Sequence, residues 1–209
     1  MDIKLLDKAR DYRNQLIEQD ITHKENIFPG GNTAEILISH SNRVESLVHN
    51  IQRRIKHSYN PTELRLAAIF HDIGKSVNVD NHAFYSAGLT EEWLLKHSDL
   101  EGDSINRIVS NVRVHSDKDD EVSLDKQILQ DADELDEIGT MSIIMHAHKL
   151  DRNDSDYFVK LIEVLENREL IFCKDVVSKL RTEVACDMMT GKIEFIESFI
   201  EQLKLELYC

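Results

Sequence analysis

Apolar residues recur along almost the whole chain at three- and four-residue steps, and breakers are few, so helix is the expected element throughout. The first helix covers residues 1 to about 20, with Ile3, Leu6, Arg10, Tyr12, Leu16 and Ile17 as an imperfect stripe. Phe28-Pro29-Gly30-Gly31-Asn32 is the clearest break, and Thr33 is placed to cap the next helix. There Leu37, His40, Val44, Leu47, Val48, Ile51 and Ile55 fall on one face. Asn60-Pro61-Thr62-Glu63 reads as a turn into a helix start, with proline preset for the first turn. The run Leu64 to His71 that follows is apolar nearly all round, as suits a helix at the centre of a bundle. Leu64, Ala67, Ala68 and His71 share a face, and Gly74 is expected to end the helix sharply.

Asp80-Asn81 can cap a helix on which His82, Ser86, Leu89 and Trp93 line up, and the small trio Ser86-Ala87-Gly88 admits a neighbouring backbone. Ser104 is the expected cap of a helix whose face is Ile108, Val112 and His115, and the acidic stretch Ser116 to Glu121 reads as a solvated loop. Ser123 caps a further helix with the stripe Ile128, Ala132, Leu135 and Gly139. Asp131 and Asp133 flank that stripe from opposite sides, so periodicity does not choose between them. Asp136 falls on the side of Asp133. The tail continues with Ile143-Ile144, then Phe158, Leu161, Ile162 and Leu165, and finally Ile193, Ile196, Phe199, Ile200, Leu203 and Leu207. No linker divides the chain. An all-α bundle of a single domain, residues 1–209, is expected, with residues 140–209 as helices packing on the core.

Composition narrows the partners. With 209 residues and only 7 Gly and 2 Pro, the chain can bury one substantial core. The 39 acidic residues against 25 basic ones give a formal charge of −14, which opposes binding to a phosphate backbone, so no nucleic acid is expected. Charges interrupt the N-terminal apolar stretch and no run approaches spanning length, so neither a signal peptide nor a membrane partner is expected and the location is cytoplasmic. Cys173, Cys186 and Cys209 lack Cys-x-x-Cys spacing and read as ordinary thiols. The sequence does not set the oligomeric state.

The chemistry centres on His71-Asp72, reached through the apolar helix and followed three residues on by Lys75. With His40 upstream and Asp131-Ala132-Asp133 downstream, imidazoles and carboxylates from three helices form a mixed nitrogen and oxygen set. Such a set suits a divalent cation with open positions for water (Mn, Fe, Co, Ni or Mg), and not a thiolate-rich structural zinc.

The order His40, His71-Asp72, then a late Asp resembles the HD-domain superfamily of metal-dependent phosphohydrolases over residues 33 to 139. The strings His71-Asp-Ile-Gly-Lys75, His82-Ala-Phe-Tyr-Ser-Ala87, His115-Ser and Asp131-Ala-Asp-Glu-Leu-Asp-Glu-Ile-Gly139 resemble those of small stand-alone bacterial members, some of which act on nucleotides. The resemblance implies His40, His71, Asp72 and Asp133 as metal ligands. Its Ala-Asp-x-Leu pattern matches Ala132-Asp133-Glu134-Leu135 and selects Asp133 over Asp131. It further implies hydrolysis of a phosphoester or phosphoanhydride bond in a nucleotide or other small phosphorylated substrate. Metal-activated water would attack, with Asp72 at the metal and Lys75 stabilising the phosphoryl oxygens. His82 or His115 would protonate the leaving group, or both would hold a second metal. Arg43 would make an ion pair near the site, and Asp136 would support it. HD-type diiron oxygenases share the ligand order His40, His71, Asp72, His82, His115, Asp133 and are the rival reaction class; a non-catalytic binding module is the third.

Overall fold

The computed structural model describes residues 2–21, 33–55, 60–117, 123–136 and 138–208. The break at 28–32, most of the acidic loop and Cys209 lie outside them. Among the described residues the chain is helical, without strands. The helices are α1 (Ile3–Ile21), α2 (Thr33–Arg54), α3 (Pro61–Phe70), α4 (His82–His97), α5 (Gly102–Arg113), α6 (Leu124–Asp136), α7 (Thr140–Lys149), α8 (Tyr157–Val164), α9 (Leu170–Val177) and α10 (Glu183–Tyr208). A 3₁₀ turn, Ile73–Ser76, follows α3, and a π-helical stretch, Leu165–Glu169, joins α8 to α9. No described helix is long and apolar enough to cross a membrane. The chain forms two compact units, Met1–Asp133 and Glu134–Cys209, whose boundary falls inside α6 and not at a glycine or proline break.

In the first unit α3 is the hub. Asn60 caps it by accepting a hydrogen bond from the Thr62 backbone N–H (3.1 Å), and Pro61 opens the first turn. From Leu64 to Phe70 every residue except Arg65 is buried, because α1, α2, α4 and α5 all pack around this helix. Phe70 meets Trp93 (ring centroids 5.1 Å apart) and Tyr12 (6.3 Å). The α2 stripe is buried at Leu37, Val44, Val48 and Ile51. In α1 the buried face is Leu5, Leu6, Ala9, Arg13 and Ile17, while Ile3 is 59 % exposed, a shift from the predicted stripe. Arg13 explains the shift. Its Nε and Nη2 donate to Asn14 Oδ1 and its Nη2 to Asn42 Oδ1 (2.7 Å), so the guanidinium goes inward although burial pulls its pKa down to about 10. Beside it Glu45 accepts from both Arg10 and Arg65 at 2.6–2.9 Å, which ties α1, α2 and α3 through one buried carboxylate.

Two expected devices turn out differently. Helix α5 begins at Gly102, so Ser104 lies in its first turn and is not its cap. Gly74 does not end a helix by a left-handed turn, since α3 has already closed at Phe70. It permits contact: a Cβ there would lie 2.3 Å from the His82 carbonyl oxygen and 2.6 Å from the Ser86 backbone nitrogen. The Gly74 N–H donates to Ser86 Oγ at 2.8 Å, so the small residue needed for this approach is on the 3₁₀ turn, while Gly88 faces open space.

In the second unit α7, α8, α9 and α10 enclose Leu161, Ile162, Leu165, Cys173, Val176, Met189, Ile196 and Ile200, whereas Ile144 and Phe158 of the predicted stripes are more than half exposed. Gly139 has φ +91°, and the Lys192 ammonium closes that corner by donating to the Ile138 carbonyl (2.7 Å).

Candidate metal centre

Every histidine expected at the site except His40 stands at a helix end, and the reason is local. The last carbonyls of a helix have no partner within it. His71, just past α3, places Nδ1 2.8 Å from the Ala68 carbonyl, and His115, just past α5, places Nδ1 2.7 Å from that of Val112. His82, opening α4, does the same with the Val79 carbonyl at 2.9 Å. A carbonyl only accepts, so each Nδ1 must carry the hydrogen, and each neutral ring then presents a bare Nε2. Three imidazoles are thereby fixed in the tautomer a metal requires.

Those nitrogens converge on Asp72. Its Oδ2 lies 3.2 Å from His40 Nε2 and 3.5 Å from His71 Nε2, and the two Nε2 atoms are 3.2 Å apart. Asp133 Oδ1 closes this group at 3.2 Å from His40 and 3.6 Å from His71. On the other side Asp72 Oδ1 lies 3.4 Å from His82 Nε2 and 3.6 Å from His115 Nε2, which are 3.2 Å from one another. One carboxylate thus faces two pairs of imidazoles, one with each oxygen. Lys75 Nζ sits 2.5 Å from Asp72 Oδ2.

The donor set fits cations. With metal–ligand bonds of about 2.1 Å, neighbouring ligands stand roughly 3.0 Å apart in an octahedron and roughly 3.4 Å apart in a tetrahedron. The observed separations of 3.2–3.6 Å run from within that range to about 0.2 Å beyond its tetrahedral end. Asp72 Oδ1 is buried with no hydrogen-bond partner, a costly state for a carboxylate oxygen that a cation would relieve. Electrostatics agree. Burial works to raise the Asp72 carboxyl, but the charge on His71, the nearby imidazoles of His115 and His40 and the charge on Lys75 hold it well below the usual carboxylate range. Asp133 behaves likewise, its burial outweighed by hydrogen bonds to His40 and His71. Burial lowers His82, whereas at His115 the neighbouring Asp72 carboxylate prevails over burial and raises it.

The structure therefore brings together His40, His71, Asp72, Lys75, His82, His115 and Asp133. Asp131, about 200° round the helix from Asp133, is buried, as is Asp136. Arg43 Nη1 donates to Ser39 Oγ at 2.8 Å. The shared position of Asp72 between two imidazole pairs was not visible in the sequence; the one available signal was a histidine just beyond the last apolar position of a helix, at Phe70-His71 and Val114-His115.

Residues 37–138 match the family model of the HD domain, and the chain belongs to the HD-domain superfamily. None of the curated proteins matches it. Its fold is shared with solved structures. An HD-superfamily hydrolase from Bacillus thuringiensis superposes with a TM-score of 0.69 at 15 % identity, covering 99 % of this chain and 98 % of that one. A protein described as a predicted HD superfamily hydrolase, from an uncultured Thermotogales bacterium, gives 0.63 at 21 % identity, with 94 % and 92 % covered. Bacillus subtilis YpgQ in complex with ADP gives 0.61 at 18 % identity, with 97 % and 96 % covered.

Proposed function

We propose that the chain is a metal-dependent phosphohydrolase cleaving a phosphoester or phosphoanhydride bond of a nucleotide or another small phosphorylated metabolite. The observation that carries this reading is Asp72, whose two oxygens face two imidazole pairs, one oxygen being buried without a hydrogen bond. His40, His71, Asp72 Oδ2 and Asp133 would hold one divalent cation of the Mn, Fe, Co, Ni or Mg group. His82, His115 and Asp72 Oδ1 would hold a second, a role their bare Nε2 atoms suit better than proton donation. Cations bound there supply Lewis acidity, lowering the pKa of water and neutralising phosphoryl charge.

The remaining work falls to the protein. The backbone carbonyls of Ala68, Val79 and Val112 keep three rings aimed before any ligand arrives, so no reorientation is needed at the moment of binding. Lys75, 23 % exposed, can turn its ammonium from Asp72 to a phosphoryl oxygen. A chain of charge −14 repels a polyanion on the whole, so the cations and Lys75 would have to supply the local positive field that attracts the substrate. That charge also supports a small-molecule partner over nucleic acid, in a cytoplasmic setting. The ADP in YpgQ, which has the same fold, supports a nucleotide as substrate.

The test is phosphate or pyrophosphate release from nucleoside mono-, di- and triphosphates and simple phosphate esters by Mn²⁺-loaded protein without oxygen. Asp72→Ala should reduce release by more than about 100-fold, since even outer partners of metal ligands are worth 10–100-fold, while far-UV circular dichroism stays unchanged. Turnover retained by that variant would overturn the proposal. Oxygen consumption by iron-loaded protein, with no phosphate release, would assign the same six ligands to a diiron oxygenase.

A further inference from the structure

Of the four residues that would grip the first cation, His40 stands on α2, and His71 and Asp72 follow the end of α3, a helix packed against α2 in the core. Asp133 alone comes from α6. Its side chain is also the most open of the four, 34 % exposed against 0–12 % for the others. The reach of this ligand therefore depends on how α6 is held.

Gln130 stands three residues before Asp133, one turn away on the same side of α6, and is 9 % exposed. Its Nε2 donates to the backbone carbonyl of Asp117, two residues past His115 at the end of α5. This bond ties the helix that carries Asp133 to the segment that carries His115. Donation to a carbonyl fixes the amide, so Oε1 points away from Asp117, and there it is buried without a hydrogen-bond partner. A bare buried oxygen costs stability, whereas Asp117 is exposed and water can serve its carbonyl once the amide is gone. An amide at position 130 therefore does little for stability; what it supplies is a directional bond between α6 and the end of α5. We propose that Gln130 is a positioning residue of the metal centre: its bond to Asp117 sets α6 on the end of α5 and so holds the Asp133 carboxylate where the first cation binds. This rests on the reading of His40, His71, Asp72 and Asp133 as cation ligands.

The test is a double-mutant cycle on Mn²⁺ affinity, read by calorimetry on the metal-stripped full chain, with no turnover involved. Gln130→Met keeps the length of the side chain and removes the donor. It should weaken one class of Mn²⁺ site about 10- to 100-fold, as loss of a group that orients a ligand does, while the melting temperature of the metal-free protein does not fall. In Asp133→Ala, which has already lost that carboxylate, adding Gln130→Met should change Mn²⁺ binding no further. Native affinity in Gln130→Met, or an equal loss with and without Asp133, overturns the proposal and leaves the hydrolase reading standing. A lowered melting temperature with unaltered affinity assigns the bond to folding alone and overturns it as well. Failure of the native chain to bind Mn²⁺ would remove the metal reading itself, and this proposal with it.

Discussion

Gly74→Ala tests the link between the 3₁₀ turn and the metal centre. A methyl group at position 74 would meet the His82 carbonyl oxygen at 2.3 Å, where ordinary contact begins near 3.4 Å. The next atoms are the Ser86 backbone nitrogen at 2.6 Å and the Ser86 hydroxyl at 2.9 Å. Two of the three are backbone, so no side-chain rotation relieves the clash, and the first turn of α4 must retreat by about 1 Å. Overpacking of this kind costs about 1–3 kcal/mol, and at this chain length each kcal/mol lowers Tm by roughly 2–4 °C. The same retreat carries His82 away from Asp72 Oδ1, now 3.4 Å apart, whereas metal ligands tolerate about 0.2 Å. Thermal unfolding followed by circular dichroism reads the first effect, and Mn²⁺ calorimetry the second, as a loss of stoichiometry or affinity. Gly88→Ala is the internal control: it is helical, exposed and faces open space, so it should stabilise by up to about 1 kcal/mol. If Gly74→Ala matched Gly88→Ala in Tm, the close approach of turn and helix would be wrong.

Other outcomes follow from buried groups. Burial acts to raise Glu45, but its bonds to Arg10 and Arg65 prevail and hold it below its ordinary value of 4.5. Its stabilisation is therefore complete above about pH 4.5 and lost as pH falls through the depressed value, so Glu45→Gln should lower Tm at pH 7 and lessen its fall below pH 4.5, as a pH series of melts would show. Glu45→Ala, which strips the counter-charge from Arg10, Arg65 and buried Arg13, should cost about 3–5 kcal/mol in urea unfolding. Cys173 is fully buried and its thiol is pushed up to about 12 by burial and by Glu169, so native protein exposed to iodoacetamide at pH 8 should be alkylated at Cys186 and not at Cys173 in a peptide mass map. Gly139→Ala, at φ +91° with the Lys192 stem 3.3 Å from the added carbon, should cost about 1–3 kcal/mol by the same unfolding assay.

Local pattern, by itself, determined the all-helical class, the all-round apolar α3 with its Asn60–Pro61 start, and the buried stripe of α2, because spacing and capping act within a few residues of one another. The order of histidines and aspartates was likewise enough to name the superfamily. Tertiary structure decided what depends on distance between helices. Arg13 turned inward only because Asn42 on α2 receives it, and Gly74 proved to be a contact residue only once α4 lay against it. Asp133 and Asp131 are equivalent to periodicity, and only the tertiary structure sets one of the two carboxylates, that of Asp133, 3.2 Å from His40. The sharing of Asp72 between two imidazole pairs belongs to the same class: residues more than forty positions apart meet at one carboxylate through helix ends whose orphan carbonyls orient the rings, and no linear spacing encodes where those ends converge.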